Sequence, residues 1–287
     1  MSSFQKTYQE KKEAFESGLL EIFSDIKEIP SALRAAIAYS LLDGGKRMRP
    51  LLLLETYRVF NGEPDGNVVR FAVAVECVHC YSLIHDDLPC MDNDDFRRGR
   101  ATSHKVFGEA TAVLAGDALL NLAYELIFDA MRDASDSDKE KYLKAALLFS
   151  KNAGARGLIA GQIHDIGAES EVSADMLKYI FCHKTGDLIV SACAAGAILG
   201  GASKEELLHI LSYAEHFAFA YQIKDDILDF REKKSENTSF VKVYGLLRAN
   251  QTLGDSTQKA QKELAALGNR DIGFLKKMTL KFASRKE

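Results

Sequence analysis

The chain has no tryptophan and almost no proline: Pro30, Pro50, Pro64 and Pro89 are the four, all in the first third of 287 residues. Beyond Pro89 no residue fixes φ or removes a backbone donor, so long helices are free to form there. Cysteine is sparse and odd in number, five residues scattered as Cys77, Cys80, Cys90, Cys182 and Cys193. That count excludes a fully paired disulfide framework and fits reduced thiols, hence a cytoplasmic location. Excess positive charge is also missing. A formal net charge of -4 argues against a nucleic-acid surface. No charge-free apolar run is long enough to span a bilayer, so no membrane span is expected. The first sixteen residues, rich in Gln, Glu and Lys, hold no apolar core of signal-peptide length, so neither secretion nor a transit peptide is expected.

What is present reads as helix. Hydrophobic residues make up 47% and charged residues 27%, the balance of a soluble globule, with no stretch depleted enough in apolar residues for long disorder. Apolar residues recur at helical spacing, as at Leu119, Leu122, Ala123, Leu126 and Ile127, and period-two alternation is scarce. Capping-box patterns stand at Ser137 with Glu140 and at Ser203 with Glu206. The expected fold is all-α, a single domain over 1–287 of about ten helices. Expected spans are 3–28, 31–42, 49–60, 68–88, 109–134, 137–152, 155–166, 173–199, 203–230, 238–267 and 272–284.

Two aspartate clusters carry the chemistry. Asp86, Asp87 and Asp92 surround Pro89, which should end the preceding apolar helix so that Asp92 returns toward the other two. Carboxylates at a helix C-terminus face the negative end of its dipole, which is unfavourable unless a cation is bound. Asp225, Asp226 and Asp229 have spacings that put them near one face of a largely apolar helix. Either cluster alone suits a solvated acidic patch. Two of them on separate apolar helices suit hard-oxygen ligation of Mg2+ shared with substrate phosphates.

Cations that match phosphate lie nearby. Gly44-Gly45-Lys46-Arg47-Met48-Arg49-Pro50 joins a flexible glycine pair to three basic residues at a helix start, and Arg97-Arg98-Gly99 follows the first cluster. Arginine's planar fork and helix N-termini both suit phosphate oxygens. Lys184-Thr185-Gly186 places a lysine inside an apolar helix, a costly position without a partner. The Cys77-Val78-His79-Cys80 run matches a metal or redox pattern, but it has no second pair and reads better as packing plus a histidine facing a cavity.

In this order the residues resemble the trans-isoprenyl diphosphate synthases, most of all the bacterial farnesyl type. The carrying motifs are Gly44-Gly45-Lys46-x-x-Arg49-Pro50, Asp86-Asp87-x4-Asp92 with Arg97-Arg98-Gly99, Gly116-Asp117-Ala118-Leu119, Gly161-Gln162-x-x-Asp165, Lys184-Thr185-Gly186 and Gln222-x-x-Asp225-Asp226-x-x-Asp229. The resemblance implies the isoprenoid synthase fold, a helical bundle around a deep central cavity with the aspartate motifs facing each other at its mouth, and a homodimer. It implies that Asp86, Asp87, Asp92, Asp225, Asp226 and Asp229 hold about three Mg2+ ions, replaceable by Mn2+, on an allylic diphosphate. Arg97, Lys184 and Gln222 would contact that substrate, and Lys46, Arg49, His79 and Arg98 would bind isopentenyl diphosphate. Thr185 and the Lys184 carbonyl would stabilise an allylic carbocation. Tyr81, five residues before Asp86, would sit about 7.5 Å deeper along the helix. There it would floor a chain of farnesyl length, and a geranylgeranyl product is the alternative.

One region departs from the family. Its members usually carry a Gly-Asp turn, a flexible Gly-Lys loop and a further lysine after the second aspartate motif. Here 230–237 leads almost directly into the next helix, and Lys233 or Lys234 would have to substitute. Asp187 stands where a small residue is usual. The shortened segment leaves open a non-catalytic subunit that kept the fold, whereas intact aspartate motifs favour the enzyme.

Overall fold

A computed structural model describes residues 3–167, 172–232 and 238–286. The described residues form thirteen α-helices, one π-helical turn and one two-stranded hairpin. Lys233 and Lys234 lie outside the described residues. The chain divides into two compact units, Met1–Leu54 with Pro64–Tyr142, and Glu55–Glu63 with Leu143–Glu287.

The first unit contains α1 (Ser3–Asp25), α2 (Ser31–Leu41), the start of α3 (Met48–Asn61), α4 (Gly66–Asp86), strands β1 (Phe96–Arg97) and β2 (Arg100–Ala101), α5 (Ser103–Phe107) and α6 (Glu109–Asp133). Asp65 caps α4 by accepting from Asn67 and Val68 N–H. Most residues of α4 from Val68 to Ile84 are buried, and the helix is correspondingly apolar over most of its circumference. It and α6 are both long and apolar enough to cross a membrane, but 67% of the qualifying window of α4 is buried inside the protein, against 44% for α6. Arg47 is 2% exposed, at φ 47°, and donates to Glu76 at 2.7 Å, Glu16 at 3.1 Å and the Leu41 carbonyl at 2.9 Å. Orphaning one member of a pair so deeply buried costs about 3–5 kcal/mol. Arg47 therefore anchors the loop between α2 and α3.

The second unit contains the end of α3, α7 (Lys139–Ala153, almost all of it), α8 (Leu158–Ile166), α9 (Ala174–Ile180), a π-helical turn (Phe181–Gly186), α10 (Asp187–Gly200), α11 (Lys204–Arg231), α12 (Phe240–Ala265) and α13 (Gly273–Ser284). Ser203 and Glu206 form the expected capping box on α11. The pattern at Ser137 does not cap α7, because the Ser137 hydroxyl meets Ser135 instead and the helix starts at Lys139. Ile223 and Ile227 of α11 pack with Phe181, Phe240, Val241 and Leu253 into one apolar cluster.

The all-α expectation holds and most spans agree to within three residues. Two differences matter for the site. The expected helix 173–199 is interrupted by the π-helical turn, and a hairpin with a short helix fills the interval before α6.

Candidate active site

Pro89 prevents α4 from continuing, and the helix ends at Asp86 with Asp87 as C-cap. The backbone then doubles back. Met91 and Asn93 N–H donate to the Leu88 carbonyl, and Asp92 N–H donates to the Asp86 carbonyl at 2.9 Å. Asn93, at φ 54°, closes the turn in the left-handed region that asparagine tolerates. Asp86 and Asp92 are thus brought together, both with solvent access. Asp87 is different: it is 3% exposed and accepts from Arg97 Nε at 2.6 Å. Burial pushes its carboxyl above the usual range, and the Arg97 guanidinium opposes that rise.

The hairpin separates the two adjacent arginines. Phe96 pairs with Ala101 and Arg97 with Arg100, which leaves Arg98-Gly99 as a two-residue loop. Both loop residues have positive φ, 53° and 77°, the type I′ geometry that matches strand twist. Arg97 turns to Asp87, whereas Arg98 donates to the Gly44 carbonyl at 3.4 Å. The Arg98 guanidinium would lie 2.7 Å from a Cβ at Gly45 and can swing aside, so it is the φ of 93° that calls for glycine here. Close by, Arg49 Nη1 is 3.4 Å from His79 Nε2. Burial first, and then Arg49, hold the His79 pKa well below its ordinary value, so the ring is neutral and accepts from the guanidinium. The Lys46 carbonyl accepts the Tyr8 hydroxyl.

A pocket inside this unit is lined by Asp87, Arg97 and Arg98 together with Tyr39, Asp43 and Arg100. Sequence reasoning missed the last three. Arg100 lies over the Tyr39 ring at 4.1 Å and pairs with Asp43, and Tyr39 Oη donates to the Ala101 carbonyl at 2.7 Å. Together they clamp the hairpin against the end of α2. Deeper on α4, Tyr81 is 5% exposed, with its pKa pushed up to about 12 by burial and then by Tyr124. Cys77 and Cys80 are buried, and burial raises both thiols, Cys80 to about 12, so the pair packs and is chemically inert.

In the second unit the π-helical turn coincides with the Lys184-Thr185-Gly186 motif. An extra residue in one turn re-aims the side chains that follow it, which is why such turns cluster at functional sites. Gly161 of α8 lies against the Lys184 backbone where any Cβ would collide. The Lys184 ammonium pairs with Asp165, whose other oxygen accepts from Thr238 at 2.6 Å. Thr185 donates to Gln222 Oε1 at 2.9 Å, and Gln222 Nε2 donates to Asp226 at 3.2 Å. The expectation that Asp225, Asp226 and Asp229 share a face is corrected here. Asp226 is 4% exposed and its second oxygen accepts the Phe240 N–H, closing the first turn of α12. Asp225 and Asp229 keep partial solvent access, four residues apart. Arg285, which no motif flagged, donates to Asp225. The unusual Asp187 accepts from His183 Nδ1 at 2.7 Å across the π-helical turn.

Residues 30–241 match the polyprenyl synthetase family. The chain belongs to this family. A farnesyl diphosphate synthase of Geobacillus stearothermophilus is 44% identical over 228 residues, covering 79% of this chain and 75% of the relative. A chloroplastic geranylgeranyl pyrophosphate synthase of Capsicum annuum is 38% identical over 259 residues, covering 85% and 69%. Among solved structures, a geranyltransferase from Legionella pneumophila superposes with a TM-score of 0.90 at 29% identity, over 99% of this chain and 97% of that one. The all-α isoprenoid synthase fold follows, and every motif from Gly44 to Asp229 falls inside the matched span.

Proposed function

We propose that this polyprenyl synthetase condenses isopentenyl diphosphate with dimethylallyl and geranyl diphosphates to give farnesyl diphosphate. The observation that carries the reading is the divergence of Arg97 and Arg98. One guanidinium is fixed beside the Asp86–Asp92 turn, the other on the Gly44–Gly45 loop that leads to Lys46 and Arg49. Two cationic seats, one beside the Asp86–Asp92 turn and one beside Gly44–Gly45, suit one diphosphate that leaves and one that stays. A terpene cyclase has a single diphosphate and no need of the second seat.

The donors fit Mg2+. Asp86 with Asp92, and Asp225 with Asp229, are pairs of hard oxygen ligands with access to solvent. Among the described residues no three His, Cys, Asp or Glu side chains are grouped to hold a metal ion, so an ion here would need phosphate oxygens and water to complete its shell. We assign these four to the metals, with Asp87 holding Arg97 and Asp226 holding the start of α12. Bound Mg2+, or Mn2+ in its place, neutralises charge developing on the departing diphosphate.

The remaining steps belong to the chain's own residues. Arg97 and Lys184 present fixed positive charge to the leaving diphosphate as its C–O bond breaks. Thr185 gives its O–H to Gln222, which leaves its oxygen lone pairs available to an allylic cation, and the Lys184 carbonyl would add a second dipole there. Lys46, Arg49 and Arg98 hold isopentenyl diphosphate while its C=C forms the new C–C bond, and the released diphosphate takes the proton that is then lost. Apolar walls keep water from the cation.

Incubation with isopentenyl diphosphate and each allylic donor, followed by product chromatography, tests the reading. A dominant C15 product is expected. A dominant C20 product selects the geranylgeranyl alternative, which the Capsicum annuum relative keeps in view, and no product from a folded chain selects the non-catalytic subunit.

The two seats separate kinetically. Arg49→Ala should raise KM for isopentenyl diphosphate about tenfold or more with little change for the allylic donor, and Lys184→Ala should do the reverse. Equal effects on both substrates in steady-state kinetics would remove the division.

We further propose a homodimer in the cytoplasm. On α6, Val113, Leu114 and Phe128 are 39%, 59% and 59% exposed on the side that also carries Asp117, Asn121 and Glu125, apolar side chains that a second copy would cover. Sedimentation at twice the 31.7 kDa chain mass is expected. A monomer at micromolar concentration would overturn it.

A further inference from the structure

Asp225, one of the carboxylates assigned to metal, is paired with a cation of the chain itself. Arg285 follows α13, sixty residues away in sequence, and its side chain is 7% exposed against 33% for Asp225. Its guanidinium stacks on the Tyr221 ring at 4.2 Å and donates to the Phe282 carbonyl at 2.6 Å and the Tyr221 carbonyl at 3.1 Å. Tyr221 and Asp225 lie one turn apart on α11, so the arginine lies along the helix face that presents Asp225.

Two features make this contact exchangeable. One guanidinium nitrogen meets one carboxylate oxygen, without the bidentate fork that makes such pairs hard to part. The two carbonyls and the Tyr221 ring still hold Arg285 if Asp225 is released. The surroundings are also cationic: Lys224, the residue before Asp225, is 8% exposed. A divalent ion arriving at Asp225 therefore meets a positive charge already in place and must take the carboxylate oxygen from it.

We propose that Arg285 is the resident counter-cation of Asp225, and that a divalent metal must displace it to bind there. The inference rests on the assignment of Asp225 to the metal site. Arg285 keeps a partly buried carboxylate paired between turnovers and sets how much free cation is needed to load that side of the site.

The test is Mn2+ binding to the full chain without substrate, read from the free-ion electron paramagnetic resonance signal, with melting curves to verify folding. Arg285→Gln should tighten the Mn2+ dissociation constant about fivefold, the scale of a partly exposed ion pair, and Arg285→Lys should stay near wild type. Asp225→Asn should remove the same site in both backgrounds. Unchanged or weaker binding in a folded Arg285→Gln chain, with Asp225→Asn still removing the site, would overturn the counter-cation role and leave the metal assignment standing. A Mn2+ isotherm that Asp225→Asn does not alter would overturn the assignment itself, and the inference with it.

Discussion

Asp86→Ala and Asp225→Ala should each lower turnover by roughly three orders of magnitude, because a Lewis-acid contact worth several kcal/mol is lost at 1.36 kcal/mol per decade. The reason lies in where the chain leaves each carboxylate. Asp86 is at the end of α4 with Asp92 brought back onto its carbonyl, and Asp225 stands one turn from Asp229 on α11, all with access to solvent. A helix end and a largely apolar helix face are poor places for such charge unless a cation is there to compensate. Asp226→Asn, by contrast, removes a charge that accepts from Gln222 and the Phe240 N–H, so its effect should fall on melting temperature more than on turnover. Steady-state rates across a Mg2+ titration separate these outcomes. Near-wild-type activity of either alanine variant at limiting Mg2+ would sink the metal assignment.

Helices and the turn at Pro89 were legible in the sequence because each rests on local chemistry: apolar periodicity, a missing N–H, a capping hydroxyl. The hairpin was not, since strands of two residues have no period to detect. Its one local signal was the Arg98-Gly99 pair, with glycine where a type I′ turn needs positive φ. The π-helical turn was hidden for another reason. Between Leu177 and Leu199 most residues are apolar or small, and a single inserted residue leaves so continuous a pattern unchanged. Spacing also could not tell Asp226 from its neighbours. One residue is a rotation of about 100°, and which side is buried depends on the later arrival of Phe240. Arg47 and Arg285 show the same limit for charge, because a basic residue in a motif and one outside any motif exchange their expected roles once their partners, Glu76 and Asp225, are known.

Tyr81→Ala should move the product mixture from C15 toward C20 and longer, with the metal-dependent rate preserved. On the proposed function, a diphosphate at Asp86 would send its hydrocarbon back along α4, and Tyr81 would lie about 7.5 Å along that path. The ring packs edge-on against His85 at 5.8 Å. Its hydroxyl is buried without a hydrogen-bond partner, an arrangement that ordinarily costs about 1–3 kcal/mol. Packing alone gives no reason to keep that oxygen, since phenylalanine would fill the same volume without the penalty. Truncation to alanine removes the ring and leaves room for another isoprene unit, with Tyr124 of α6, the neighbour that adds to the rise in its pKa, as the next barrier. Tyr81→Phe should keep the C15 product, which separates bulk from hydrogen bonding. Chromatography of products from folded, active variants decides the point: a Tyr81→Ala enzyme that still stops at C15 would place the floor elsewhere and remove the physical basis for a farnesyl product.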